Sequence, residues 1–236
     1  MILWFFDSWL GGQVVMEAFQ KEYPHIEMIL EMDRAHAPYG HRSREEIRIL
    51  TRAWVERLHE RWADVVILAC NTASVHALRW LQQEIFIGRH ILGVTIPWAE
   101  AVVEWGYRKI GVLATDATVR IRAYRERVHI LDESVIVEEV AAPGLVPFIE
   151  KGITSWPEIE CLLEEYLSQF SSDIGVLVLG CTHYPIISES IEKVWTRLFP
   201  GKWLTMLDPG FESAKKFWLW ISRRRVIEVS SKYHQQ

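Results

Sequence analysis

Long hydrophobic runs are missing from this chain of 236 residues. No stretch approaches the roughly 20 consecutive apolar residues that cross a bilayer, so no membrane partner is expected. The opening Met1-Ile2-Leu3-Trp4-Phe5-Phe6 is apolar but halts at Asp7. It has neither the charged start nor the apolar length of an export signal, and the expected location is the cytoplasm. An excess of positive charge is missing too: the net charge is −5. That argues against nucleic acid as a partner, and the Arg223-Arg224-Arg225 triplet is too short to reverse it. Cysteine is scarce, with only Cys70, Cys161 and Cys181. Three thiols at these spacings fit neither a disulfide framework nor a zinc site, and in a reducing cytosol they stay free. No Gly/Ser-rich linker, low-complexity segment or pyridoxal-phosphate signature interrupts the chain, so no cofactor and no metal are expected. The composition is half apolar, which is that of a globular protein. The 12 tryptophans have no functional account at this level.

What the chain does have is a repeated pattern. Val65-Val66-Ile67-Leu68-Ala69 is an unbroken apolar run that ends in Cys70-Asn71-Thr72, after which an Ala-rich helical pattern begins. Such a run reads as a strand buried on both faces, as in parallel sheets. Cys70 then stands at the carboxyl end of a strand and the start of a helix, where α/β sheets place ligands and where a thiolate is favoured. The pattern returns at Val176-Leu177-Val178-Leu179-Gly180, followed by Cys181-Thr182-His183-Tyr184-Pro185. One such cysteine is ordinary core filler; two in equivalent contexts predict two lobes presenting thiols to a shared cleft. The fold class expected is α/β, with two pseudo-symmetric lobes of mostly parallel sheet flanked by helices. Residues 1–93 and 208–236 are assigned to one lobe and 94–207 to the other.

In chain order, apolar runs predict strands at Ile2–Phe6, Ile26–Met32, Ile91–Val94, Lys109–Ala114, Val135–Val140 and Trp203–Leu207, besides the two ending in cysteine. Helical spacing predicts helices near Gln13–Lys21, Arg44–Arg61, Ala73–Gln82, Ala99–Trp105 and Glu158–Phe170. A last helix follows Asp208-Pro209-Gly210 and packs back on the first lobe. Several polar clusters follow the strands and carry two readings each. Asp7-Ser8 caps a helix or serves a site. Thr115 and Thr118 cap the next helix or bind a carboxylate. Pro38-Tyr39-Gly40 is an ordinary turn or a pocket wall. His36 reads as a surface residue, and Cys161 as an inert, partly buried thiol.

Asp7-Ser8, Gly11-Gly12, Pro38-Tyr39-Gly40, Ala69-Cys70-Asn71-Thr72-Ala73, Ala114-Thr115, Val146-Pro147, Glu150 and Gly180-Cys181-Thr182-His183-Tyr184-Pro185 together resemble the glutamate racemases of the aspartate/glutamate racemase superfamily, from about Ile2 to Gly210. The resemblance implies a cofactor-independent isomerase that interconverts L- and D-glutamate and supplies D-glutamate for peptidoglycan. It implies a homodimer whose only other partner is the small-molecule substrate. Inverting an α-carbon removes a proton from one face and returns one to the other, which two fixed acid/base groups accomplish. By resemblance Cys70 takes the proton from D-glutamate and Cys181 from L-glutamate. Asp7 assists Cys70; His183, with Glu150, assists Cys181. Ser8, Pro38, Tyr39, Gly40, Asn71, Thr72, Thr115, Thr118 and Thr182 bind substrate. Two departures stand out. Trp9 occupies a position where those enzymes carry Gly, so that a positive φ there would strain the loop, and an outward or lid-like indole is expected. Ile121-Arg122-Ala123-Tyr124 replaces a Ser-Gly-Ala-Tyr pattern. Relatives run further, so an abbreviated last element is expected. The alternatives are an aspartate racemase-like enzyme, disfavoured by His183 where Glu is usual, and a binding homologue with Trp9 covering the pocket.

Overall fold

A computed structural model describes residues 1–153 and 157–233, with side chains within the last helix described as far as Ser222. The first lobe runs β1 (Ile2–Asp7), α1 (Gly12–Glu22), β2 (Glu27–Met32), α2 (Arg44–Glu60), β3 (Val65–Leu68), α3 (Asn71–Trp80) and β4 (Ile91–Gly93), followed by α4 (Pro97–Glu104). The second runs β5 (Lys109–Ala114), α5 (Asp116–Arg120), α6 (Ala123–Leu131), β6 (Ile136–Ala141), α7 (Leu145–Glu150), α8 (Pro157–Leu167), β7 (Val176–Gly180), α9 (Ser188–Leu198) and β8 (Thr205–Leu207). The last helix, α10 (Pro209–Tyr233), follows.

Each lobe holds a four-stranded sheet, ordered β2-β1-β3-β4 in one and β6-β5-β7-β8 in the other. Every pairing is parallel. The central strands are the ones whose sequences are continuously apolar, because both faces are covered by helices. Leu3, Phe5, Val65 and Ile67 pack one way, toward Phe19 of α1 and Ala214, Phe217 and Ile221 of α10. Trp4, Phe6, Val66 and Leu68 pack the other way, toward Ile47 and Val55 of α2 and Ala77 of α3. The same alternation in β7 sends Leu177 and Leu179 against α8 and α9, and Val176 and Val178 against α4 and α6. The two sheets repeat one order of pairing. Their central strands therefore bring Asp7, Cys70, Thr115 and Cys181 to corresponding ends.

Local chemistry fixes the helix starts. Ser43 and Glu46 form a reciprocal capping box on α2, which satisfies two backbone donors at once. Pro97 opens α4 at its first turn, earlier than periodicity predicts, because proline is preorganised there. Two other boundaries shift. The helix after Cys70 begins at Asn71 with Cys70 as its cap, and ends by passing into a π-turn at Leu81–Ile85. The helix starting at Pro157 ends at Leu167 rather than Phe170. Cys161 is exposed on that helix, a correction to its expected partial burial: the buried face is Ile159, Leu163, Tyr166 and Leu167. His36 is half exposed, as expected, but its Nδ1 lies 2.8 Å from Asp33.

The change at Arg122 has a backbone consequence. Arg122 caps α6 in the left-handed region, at φ 52° and ψ 31°, which costs a residue with a Cβ about 1 kcal/mol and costs Gly little. Its side chain is exposed. Arg122→Gly is expected to stabilise the protein by about 0.5–1 kcal/mol and raise its melting temperature by about 2–3 °C, as scanning calorimetry would register.

Candidate active site

Between the lobes lies a cavity that, counted together with the solvent-open space at its mouth, spans about 540 Å³. Its walls include Ser8, Pro38, Tyr39, Gly40, Cys70, Asn71 and Thr72 from the first lobe, and Thr115, Cys181, Thr182 and His183 from the second. Eleven of the residues expected from sequence to form a site therefore meet there. Asp7, Glu150 and Thr118 stand one layer back, each in contact with a wall residue. His41, Ala142, Pro143 and Val146 also line the cavity. Of these, Val146 belongs to the Val146-Pro147 match noted in the sequence, while nothing in their spacing marked the other three.

On the first-lobe side, Cys70 caps α3: its Sγ accepts from the Ala73 N–H at 3.4 Å. Ser8 Oγ lies 3.5 Å from that sulfur and donates to Asp7 Oδ1 at 3.4 Å. The Trp9 N–H also donates to Asp7 Oδ1, at 2.9 Å. Asp7 Oδ2 is buried and has no hydrogen-bond partner among the described residues. Burial raises the Asp7 carboxyl to about 6, despite the nearby His183 charge and the bonds from Trp9, Thr182 and Ser8. Burial, followed by the Asp7 charge, pushes the Cys70 thiol up to about 12. The result is a protonated thiol joined through one hydroxyl to a carboxyl that changes state near neutrality.

On the second-lobe side, Cys181 Sγ lies 3.7 Å from His183 Nδ1. His183 Nε2 bonds Glu150 Oε1, and the Leu10 N–H donates to the same carboxylate oxygen at 3.3 Å. Burial alone would lower the His183 pKa, but the bonds to Cys181 and Glu150 and the charges of Cys181 and Asp7 outweigh it. They raise the imidazole to about 10. A group with this shift is imidazolium across the neutral range, and an imidazolium N–H facing a sulfur stabilises negative charge on it. The two walls thus differ: a neutral thiol on one, a sulfur facing a cation on the other.

The lobes touch where the chain has no side chain to spare. A Cβ on Gly11 would collide with Thr182 and with His183 Nδ1. The Gly40 carbonyl accepts from the Ala117 N–H at 2.8 Å, and His76 Nε2 donates to the Ala117 carbonyl at 3.0 Å. Across the same junction Thr72 Oγ1 lies 2.9 Å from Thr115 Oγ1, which donates to Thr118 Oγ1 at 3.0 Å. Three buried hydroxyls satisfy one another here, and each can rotate its proton toward an arriving carboxylate. Trp9 lines the cavity and packs on the second lobe's core cluster. It carries no left-handed strain, since the non-glycine residues with positive φ among those described are Trp62 and Arg122.

This is a two-lobed parallel α/β protein whose interlobe cavity carries a thiol on either wall. The chain belongs to the family described as Asp/Glu/Hydantoin racemase, whose model matches residues 13–203. It is 40% identical over 202 residues to the glutamate racemase of Ruegeria pomeroyi, an alignment covering 79% of this chain and 74% of that one. It is 32% identical over 213 residues to the glutamate racemase of Oceanobacillus iheyensis, covering 89% and 75%. The crystal structure of the Francisella tularensis glutamate racemase, in complex with D-glutamate, superposes with a TM-score of 0.85 at 30% identity, covering 94% of this chain and 81% of that one. As in that structure, the fold is a pair of parallel sheets flanked by helices. Among the described residues, no helix is long and apolar enough to cross a membrane.

Proposed function

We propose that this protein racemises glutamate, with Cys70 and Cys181 as the two acid/base groups. The observation that carries the reading is one cavity with a thiol on each wall, each thiol backed by its own carboxylate. For L-glutamate, the Cys181 thiolate takes the α-proton from one face while the Cys70 thiol gives its proton to the other, and the electron pair left on Cα forms the new C–H bond. D-glutamate runs the reverse. Cys70 must then start as the thiolate. Its proton passes through Ser8 to Asp7, a transfer that runs uphill from a thiol at about 12 to a carboxylate at about 6 until substrate is bound. The sulfur contacts of 3.5 and 3.7 Å tighten when substrate is bound. The substrate ammonium supplies the positive charge that burial of a thiolate otherwise lacks. Asn71, the threonines of the junction, Thr182, and the Pro38–Gly40 wall bind the two carboxylates.

D-glutamate made this way serves peptidoglycan synthesis in the cytoplasm, by a protein acting as a homodimer. The defining test uses purified protein with L- or D-glutamate in deuterated water, followed by circular dichroism and mass spectrometry. The ellipticity is expected to decay to zero from either side, with solvent deuterium at Cα of the newly formed enantiomer. Turnover of aspartate with glutamate left untouched would replace the substrate. Product formed without deuterium would remove the proton-transfer mechanism.

A further inference from the structure

Asn71 is 2% exposed and lines the cavity, and its position reads as that of a substrate-binding amide. An amide has two unlike ends. Turned one way it offers two N–H donors to a carboxylate; turned the other way it offers a carbonyl oxygen, which a carboxylate repels. Nothing on the first lobe holds it in either state: among the described residues, no first-lobe group hydrogen-bonds its side chain.

The group that does is on the other lobe. Tyr124, on α6, donates its hydroxyl to Asn71 Oδ1 at 2.5 Å. Asn71 Nδ2 has no protein partner among the described residues, and since Oδ1 is engaged, Nδ2 is the end left for a ligand. The Tyr124 ring is itself immobilised. It is 1% exposed and stacks on the Trp98 indole, with centroids 4.7 Å apart and planes 28° apart. Trp98 is fixed in turn by its Nε1 donating to the Thr95 carbonyl at 3.0 Å. Burial, and then the surrounding negative groups, hold the Tyr124 phenol well above its ordinary range. The hydroxyl is therefore a donor at every pH at which the protein works.

We propose that Tyr124 is a positioning residue that sets the orientation of Asn71 across the lobe junction, turning the amide N–H groups toward a substrate carboxylate oxygen. The inference rests on the glutamate reading of the cavity and deepens it. A donor supplied by one lobe is correctly aimed only while the other lobe is docked, so carboxylate binding and lobe closure are linked through one hydrogen bond.

Tyr124→Phe tests this directly, because it keeps the ring and its stack on Trp98 and removes only the hydroxyl. KM for glutamate is expected to rise about tenfold or more with kcat changed by less than about threefold, since the lost contact is made to the substrate carboxylate in ground state and transition state alike. Asn71→Ala should raise KM at least as far, and adding Tyr124→Phe to it should raise KM no further. A melting temperature measured on each variant separates this from unfolding. A second readout needs no turnover: the wild-type proton spectrum should contain a slowly exchanging, downfield hydroxyl resonance, absent from Tyr124→Phe and shifted upfield in Asn71→Ala. A KM within twofold of wild type, effects of the two substitutions that multiply, or a hydroxyl resonance indifferent to Asn71→Ala would each overturn the positioning role. A wild type inert toward both glutamate enantiomers overturns the racemase reading instead, and the hydroxyl resonance still decides whether Tyr124 holds Asn71.

Discussion

Cys70→Ser and Cys181→Ser are each expected to lower racemisation by on the order of 10³-fold in both directions, with substrate binding largely kept. The size follows from the task. Positioned proton transfer contributes about 10²–10⁴ to a rate, and a serine hydroxyl is a far weaker acid than the thiol it replaces. Both directions suffer because every turnover uses one group as base and the other as acid. The two variants should nonetheless differ from each other. In Cys70→Ser the sulfur facing the His183 imidazolium remains, so exchange of the α-proton with deuterated solvent should survive for L-glutamate without inversion. In Cys181→Ser any surviving exchange should be confined to D-glutamate, and it should depend on Asp7 being ionised. Mass spectrometry of the recovered substrate, enantiomer by enantiomer, gives the answer. Near-normal turnover in either single variant would mean that the thiol pair is not the acid/base pair.

Much of this site could be read before any coordinates, and the reason is physical. A strand buried on both faces must be continuously apolar, so the first polar residue after it marks both the end of the strand and the rim of the cleft. Asp7, Cys70, Thr115 and Cys181 all announce themselves this way. Glu150 did not: it follows the short apolar run Val146-Pro147-Phe148-Ile149, and periodicity alone would place it in solvent. Its side chain is 4% exposed because His183 and the Leu10 N–H receive it, and that contact spans 33 positions of sequence. Tyr124 was invisible for the same reason. Nothing in a tyrosine near the start of a helix indicates that its hydroxyl meets an amide 53 residues earlier. Trp9 shows the opposite failure. Its position was suspicious from sequence because a glycine site suggests a left-handed backbone, yet the turn is made without one. The indole lines the cavity and packs against the second lobe. Strand ends are local facts and sequence reports them. Contacts across the junction depend on how two sheets dock, which no single stretch encodes.

Asp7→Asn should separate function from stability, and in opposite directions. The Asp7 carboxyl is fully buried with one oxygen unpaired among the described residues, and its folded-state pKa of about 6 lies above the ordinary 3.8. A group raised in this sense favours folding while it is protonated. Its contribution is fully present below about pH 3.8 and is lost as pH rises through about 6, above which the buried charge works against the fold. Asparagine has the same shape and no charge. The variant should therefore match wild-type stability near pH 4 and exceed it by about 2 kcal/mol at pH 7.5. Denaturant melts at a series of pH values would trace that divergence. Activity should move the other way. If Asp7 receives the Cys70 proton through Ser8, wild-type kcat/KM for D-glutamate should fall about tenfold per pH unit below about pH 6. In Asp7→Asn it should be lower by about 10²–10³ and flat across that range. For L-glutamate the loss should be smaller, because Cys70 then begins as the acid and needs no acceptor for its proton before the chemistry. A variant that lost both directions equally and kept the acid limb would assign that limb to another group and reduce Asp7 to a cap on the turn before α1. One whose stability advantage over wild type was no larger at pH 7.5 than at pH 4 would show that folding does not raise the Asp7 pKa and that the carboxylate is ionised across that range.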